Sequence, residues 1–303
     1  MTTPKISVLT PLYNTNECDL RAMVESILNQ TFKDFEFLLL NDSPDNKNIK
    51  KIISSYNDKR IKYFENENNL GITKSRNKLI DLAQGEYLAI ADHDDISTPN
   101  RFELELNFLE KNPHIGAVGG NVIEIFNKKE SEPQKRPIHD HDIKLSLVND
   151  KYVCNPVHSG CMIRKSVLIN SGVRYNEKWS PCEDRMLFLD LMEHTCFHNL
   201  EEVVLKYVWT GENTTLRHWQ KMYDLPPQIV HFARKKYPLY YQEWQDNKLA
   251  EYTKLQQTNT PIDSYFCKKI KLFGFIPLLK IKFKNNQKKI YLFDFIQILR
   301  IKY

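Results

Sequence analysis

The stretch Gly85-Glu-Tyr-Leu-Ala-Ile-Ala-Asp-His-Asp-Asp95 decides the fold. Glu86 to Ala91 is a mostly apolar run of strand length, and it reads as a buried β-strand. It runs directly into Asp92, His93, Asp94 and Asp95. Three acids in four residues repel one another, so a stable fold needs a counter-charge there. A hard divalent cation bound through oxygen is the simplest one. Mg²⁺ or Mn²⁺ commonly takes one or two protein carboxylates and fills its shell with substrate phosphates. Alone, the D-x-D spacing is a weak signal, because acids after strands also cap helices. Ser97-Thr98-Pro99 can itself start one.

Outward from this stretch, strands and helices alternate. Ile6 to Tyr13 begins as an apolar strand and reaches a turn at Pro11; Phe35 to Leu40, Ile61 to Phe64 and Ile115 to Val118 read as further strands. Asp19 to Gln30, with Asp19 as N-cap, has helical apolar spacing; Ile49 to Tyr56, Gly71 to Ala83 and Arg101 to Glu110 also read as helices. The pattern predicts an α/β sandwich with a mostly parallel sheet. Tyr13, Asp42 and the Asp92–Asp95 run all fall just past strand ends, where such sheets bind ligands. Residues 127–143 are polar and read as a loop. Val153 to Arg164 and Val203 to Trp209 read as strands beside the same site, Glu183 to Glu193 as a helix, and 216–260 as largely helical.

Composition narrows the function classes. The 303 residues are 41% hydrophobic and 27% charged, a globular composition. Mean hydropathy is −0.52. No stretch reaches the roughly 18–20 apolar residues of a membrane span, and the N-terminus does not read as a secretion signal. The six cysteines contain no C-x-x-C pair and suit a reducing compartment. Charge is uneven. Residues 266–303 hold ten Lys/Arg and one acid, Asp294, a net +9; with +5 overall, the other 265 residues carry −4. The body therefore does not look like a nucleic-acid binder, whereas the tail suits an anionic surface.

That tail contains a repeat. Lys268-Lys-Ile-Lys-Leu-Phe-Gly-Phe-Ile-Pro-Leu-Leu-Lys-Ile-Lys282 returns twenty residues later as Lys288-Lys-Ile-Tyr-Leu-Phe-Asp-Phe-Ile-Gln-Ile-Leu-Arg-Ile-Lys302, identical at ten of fifteen positions. Gly274 and Pro277 disfavour an unbroken helix. Each unit has a Phe-rich apolar centre between cationic ends, a composition suited to a bilayer interface. Packing on the globular body, or between two copies, is the alternative.

Several segments together resemble an inverting glycosyltransferase of family 2 with the GT-A fold. Ser7-Val-Leu-Thr-Pro-Leu-Tyr-Asn14 looks like its first strand and nucleotide loop, and Ser26-Ile-Leu-Asn-Gln-Thr-Phe32 like its S-x-x-x-Q-T-x segment. Leu38-Leu-Leu-Asn-Asp-Ser43 stands where the family usually has V-D-D-G-S, and Asn68-Asn-Leu-Gly-Ile-Thr-Lys-Ser-Arg-Asn77 is similar to N-x-G-x-x-x-x-R-N. Gly85 to Asp95 matches G-E-Y-I…D-x-D-D. His158-Ser-Gly-Cys-Met-Ile-Arg164 and Cys182-Glu-Asp-Arg185 resemble acceptor-side segments. The sub-pattern is closest to bacterial enzymes of lipopolysaccharide or capsule synthesis.

The resemblance implies a Rossmann-like GT-A domain over 1–215, a helical extension over 216–265 and the basic tail over 266–303. It implies that Pro11, Tyr13, Asp42, Arg76, Asp92 and Asp94 bind a nucleotide-diphosphate sugar, a UDP-sugar. Tyr13 and Asp42 would hold the base, and Arg76 would face the base or the diphosphate. Asp92 and Asp94 would serve Mn²⁺ or Mg²⁺. Asp184 is implied as the catalytic base, with Glu183, His158 and Asp95 on the acceptor side or behind it. The partners implied are the donor, a glycan or lipid-linked glycan acceptor and, through 266–303, an anionic membrane at the inner face of the cytoplasmic membrane; no nucleic acid is implied. Many relatives carry His where this chain has Thr210, which leaves His218 or water to complete a metal shell.

Other readings are a degenerate scaffold that keeps the fold, and a metal-dependent phosphohydrolase using Asp92–Asp95, His139-Asp-His-Asp142 and the His194/His198 pair. No H-E-x-x-H, G-x-G-x-x-G after a strand, or P-loop is present.

Overall fold

The computed structural model describes residues 3–149, 154–211, 213 and 217–257, and four strands between 268 and 302. Strands β1 (Ile6–Leu12), β2 (Phe35–Asn41), β3 (Ile61–Glu65) and β4 (Tyr87–Ile90) alternate with helices α1 (Glu17–Leu28), α2 (Lys47–Ser54) and α3 (Ile72–Leu82). These strands are parallel and lie in the order β3-β2-β1-β4. The chain thus winds outward one way from β1 and returns on its other side. The switch point lies between the carboxyl ends of β1 and β4, where open α/β sheets bind ligands.

The sheet continues as a mixed one. After β4 come the short β5 (Ile96–Ser97), helix α4 (Arg101–Lys111), the long β6 (Ile115–Phe126), β7 (Lys129–Glu130) and helix α5 (Asp140–Val148). A 3₁₀ turn at His158–Gly160 leads to β8 (Met162–Arg164), α6 (Lys165–Ser171), α7 (Glu183–Leu191) and the long β9 (Cys196–Trp209). The full order is β3-β2-β1-β4-β8-β6-β9-β5, with β7 on β6. Helices α8 (Trp219–Lys236) and α9 (Pro238–Gln257) follow.

Every residue of β1, β2 and β4 is buried, so the sheet is covered on both faces. Alternate residues feed two cores. Ile6, Val8, Phe37 and Leu39 meet apolar residues of α1, α2 and α4. Leu9, Leu38, Leu40 and Leu88 meet those of α3, α5, α7 and α8. Ile229 and Ala233 place α8 in the same apolar cluster as α7, so the start of the helical extension is docked on the body.

Several boundaries differ from the expectation. β1 runs through Pro11 to Leu12, because Pro11 sits in the strand opposite Leu40 without breaking it. The N-cap of α1 is Asn16, whose side chain accepts from the Asp19 backbone N–H. Ser97–Pro99 does not start the next helix; α4 begins at Arg101, where the spacing placed it. The 127–143 loop contains β7 and the start of α5, and 154–164 holds only a 3₁₀ turn and three strand residues. Val153, residue 216 and residues 258–267 lie outside the described residues.

The tail strands form a four-stranded antiparallel sheet: β10 (Lys268–Leu272), β11 (Ile276–Lys284), β12 (Gln287–Leu292) and β13 (Ile296–Lys302). Each copy of the sequence repeat is one hairpin. Ile270 pairs with Leu279 and Ile290 with Leu299; both hairpins shift register at the following residue. Asp294 and the four phenylalanines at 273, 275, 293 and 295 lie outside the described residues. Among the described residues, no helix is long and apolar enough to cross a membrane.

Candidate active site

The family-like motifs have local structural reasons. Gln30 donates from Nε2 to the Thr98 carbonyl at 2.6 Å and accepts from the Phe102 N–H at 3.1 Å, tying the end of α1 to the start of α4. Asn77 exchanges two hydrogen bonds with the backbone of Tyr175, at 2.9 and 3.0 Å. A Cβ on Gly85 would lie 2.6 Å from the Ser7 backbone nitrogen, so only glycine fits before β4. These contacts fix the elements whose ends build one cavity of about 750 Å³ at the switch point.

One end of the cavity is made by β1, β2 and the loop before α3. The Asp42 N–H donates to Leu12 O at 2.8 Å, which sets Asp42 beside Tyr13. Tyr13 is exposed at the rim and lines the cavity with Pro11. The buried Asp42 carboxylate accepts from Asn66 Nδ2, Leu70 N and Gly71 N at 2.8–2.9 Å. It therefore holds the 66–71 loop as well as facing the cavity. Gly71, at φ 84°, has the backbone conformation this loop needs.

Arg76 on α3 joins the two ends of the site. Its Nη2 donates to Asp92 Oδ1 at 2.9 Å and its Nη1 to Glu183 Oε1 at 2.7 Å. The guanidinium is thus engaged by two carboxylates, one after β4 and one at the start of α7. Burial opposes its charge, but Asp92 and Glu183 outweigh burial and hold it protonated. Burial likewise opposes the charge of Asp92, and Arg76 reverses that and keeps the carboxyl below its ordinary range.

Asp94 faces the same cavity, and burial pushes its carboxyl up. Asn213 Nδ2 donates to Asp94 Oδ2 at 3.0 Å, while Asn213 Oδ1 accepts from the Thr210 N–H at 3.0 Å. The contact to Asp94 past β9 thus comes from Asn213, although His218 also lines the cavity. Among the described residues, no group of three or more His, Cys, Asp or Glu could hold a metal unaided. Two carboxylates on one cavity, Asp94 with no ion pair among the described residues and Asp92 shared with Arg76, fit an ion that takes the rest of its shell from a substrate diphosphate.

At the other end, Asp184 on the first turn of α7 lines the cavity. It is half-buried, and burial pushes its carboxyl up. Its Oδ1 accepts from the Arg185 N–H at 2.7 Å, and Cys154 lies beside it. Burial raises Glu183 as well, and Glu183 Oε2 has no hydrogen-bond partner. His158 is buried, with Nε2 2.7 Å from Tyr175 Oη. Burial, followed by the Arg76 charge, pushes its imidazole down to about 3, so it is neutral. Asp95 stands behind the wall: it accepts from Ser159 Oγ at 2.6 Å and from Val208 N at 3.1 Å, tying the 3₁₀ turn to β9.

The other His clusters lie elsewhere. His198 stacks on Phe108 with ring centroids 4.2 Å apart, and His139 meets its edge. Among the described residues five cysteines are free, and Cys267 lies outside them.

The family profile described as "Glycosyl transferase family 2" matches residues 7–172, more than half of the chain. The chain belongs to glycosyltransferase family 2. This glycosyltransferase is 33% identical over 251 residues to the uncharacterized glycosyltransferase MJ1057 of Methanocaldococcus jannaschii, covering 78% of this chain and 82% of that protein. Among solved structures it resembles S. aureus TarS 1–349 in complex with UDP-GlcNAc, at TM-score 0.64 and 16% identity over 90% of this chain and 78% of that one. It also resembles the mannosyltransferase PcManGT of Pyrobaculum calidifontis in complex with GDP-Man and Mn²⁺, at TM-score 0.55 and 13% identity, covering 87% and 83%. These two likenesses establish the GT-A fold of the transferase.

Of the residues expected at the site, nine line the cavity and Asp95 supports it from behind. Sequence reading missed Asn66, Cys154 and Asn213, which lie in none of the family-like segments. The departure at Thr210 was the only signal, and it pointed to the correct strand end.

Proposed function

We propose that this transferase moves a sugar, with inversion, from a UDP-sugar to a hydroxyl of a growing surface glycan, in lipopolysaccharide or capsule synthesis. The observation that carries this reading is the Arg76 bridge, which holds a donor-side carboxylate and the acceptor-side helix against one guanidinium. A donor between them has its diphosphate at Asp92–Asp94 and its anomeric carbon toward Asp184.

In this reading Tyr13 stacks on the base, and Asp42 accepts from its ring N–H through its remaining lone pair. Asp94, with Asp92, holds Mn²⁺ or Mg²⁺. The ion, when bound, stabilises charge on the departing nucleotide. Arg76 does not contact the base; it keeps Asp92 ionised and turns Glu183 toward the acceptor. Asp184 takes the proton of the attacking hydroxyl, and its burial makes it a stronger base than a solvated carboxylate. Glu183 Oε2, unpaired, accepts from a second acceptor hydroxyl. His158, neutral, is a hydrogen-bonding wall rather than a cation for phosphate.

We also propose the division into a catalytic domain over 1–215, a helical extension over 216–265 and a tail over 266–303 that docks on the anionic inner face of the cytoplasmic membrane. The tail strands carry Lys or Arg at 268, 269, 271, 280, 282, 284, 288, 289, 300 and 302. That charge pattern supports an anionic surface, each cation contributing about 1 kcal/mol near headgroups.

The test is Asp184→Asn. Turnover of the UDP-sugar should fall by at least about 100-fold, the lower range for a lost general base, while UDP affinity stays within about twofold. Equal turnover by variant and wild type removes Asp184 as the base.

A further inference from the structure

Arg136 is a charge that the donor chemistry does not use. Its segment is fixed against β6: Ser131 N donates to Glu124 O, Gln134 N to Val122 O, and Arg136 N to Asn121 Oδ1 at 2.9 Å. The side chain lines the active-site cavity. Its Nε is buried with no hydrogen-bond partner, and among the described residues it makes no ion pair. Burial pulls its pKa down, and the neighbours that oppose this are Glu124 and Cys154. Glu124 is a weak counter-charge, since burial raises its own carboxylate.

A half-buried guanidinium with a buried, unpaired Nε is unfavourable, and proteins keep such a group where a ligand supplies the partner. The place of Arg136 says which ligand. Cys154 lies near both Arg136 and Asp184, and Arg136 is held against β6, across β8 from β4 in the sheet order. The donor-end groups, Tyr13, Asp42 and Asp94, belong to β1, β2 and the end of β4. Arg136 therefore stands on the base side of the cavity, where the acceptor approaches. Arg217 and Lys221 line the same cavity and add positive charge.

We propose that Arg136 anchors a subsite for an anionic group on the acceptor, a phosphate ester or a carboxylate close to the hydroxyl that is glycosylated. A planar guanidinium suits both by a two-point hydrogen bond. This rests on the reading of Asp184 as the base, and it adds that the acceptor is charged rather than neutral.

The experiment uses the full chain saturated with UDP and Mn²⁺, so that the donor diphosphate position is filled. Glucose 6-phosphate, glucuronate and glucose are titrated separately, with binding followed by saturation-transfer NMR. Wild type should bind at least one anionic sugar tenfold or more tightly than glucose. A preference for the phosphate identifies a phosphorylated acceptor, and one for glucuronate a uronic acid. Arg136→Gln should erase the preference, Arg136→Lys should keep part of it, and both should bind UDP within twofold of wild type. No preference in the wild type, or a preference that survives in Arg136→Gln, overturns the proposal. Failure of the wild type to bind UDP at all would instead remove the UDP-sugar donor of the proposed function, so the two failures are distinct.

Discussion

Arg76 illustrates how far single residues were legible. Its motif placed it at the site, but the expected partner was the base or the diphosphate. The structure gives it Asp92 and Glu183 instead, because a guanidinium buried between two carboxylates satisfies both. No one-dimensional pattern shows that 76, 92 and 183 converge. Asp92, Asp94 and Asp184 were legible as cavity residues because they fall in family-like segments just past a strand and at a helix start. Asn213, Cys154 and Arg136 were not, since their roles come only from contacts across the fold. His158 gives a prediction at this scale. Folded, its pKa is about 3; unfolded, it titrates near 6.5. Between these values the unfolded chain binds more protons, so acid lowers stability as pH falls below 6.5. At pH 5 the loss amounts to about 2 kcal/mol. His158→Gln should narrow the gap between the melting temperatures at pH 7 and pH 5. An unchanged gap would mean that the imidazole titrates normally in the folded protein.

At the scale of elements, α1, α2, α3 and α4 were readable from apolar spacing, and the parallel strands from short apolar runs. β6 was read too short because Gly119 and Gly120 resemble a strand end. In the structure they are close approaches: a Cβ on Gly120 would lie 2.8 Å from the Glu202 carbonyl oxygen, and one on Gly119 2.9 Å from Pro156. β9 was read short because Asn199, Glu201 and Glu202 interrupt its apolar pattern where the register with β6 shifts. α5 was missed because its buried face is small, Ile143, Leu147 and Val148 with the stem of Lys144. Arg101 holds several elements together. Fully buried, it donates to Ile90 O, Ser159 O, Cys161 O, Ser97 Oγ and Glu105. Burial pushes Glu105 up to about 7, and Arg101 offsets this only in part. Arg101→Met should cost about 3–5 kcal/mol by leaving a buried carboxylate unpaired. Arg101→Met with Glu105→Leu should recover part of that loss in chemical denaturation. A single variant as stable as wild type would show that this pair does not hold β4, β8 and α4 together.

For the whole molecule, the sequence repeat and the uneven charge were the legible features, and the hairpin register was not. The composition suggested cationic ends around an apolar centre. The register instead makes each copy a hairpin, with Ile270 opposite Leu279 and Ile290 opposite Leu299. Full-length protein should sediment with vesicles containing anionic lipid and release as salt rises, whereas residues 1–265 should stay in the supernatant. Equal sedimentation of both would place the membrane contact elsewhere.

The central claim is that one cavity binds a nucleotide diphosphate through a cation held at Asp94, with Asn213 positioning that carboxylate. The most direct measurement is UDP binding by thermal shift with and without Mn²⁺, on wild type, Asp94→Asn and Asn213→Ala. Ligand at about 100 Kd adds roughly 2.7 kcal/mol to stability. In the wild type the UDP-induced rise should be large only with Mn²⁺. Asp94→Asn should lose the Mn²⁺ dependence, and Asn213→Ala should need more Mn²⁺ for the same rise. A UDP shift indifferent to Mn²⁺ in the wild type, or no shift from folded protein, would contradict the account.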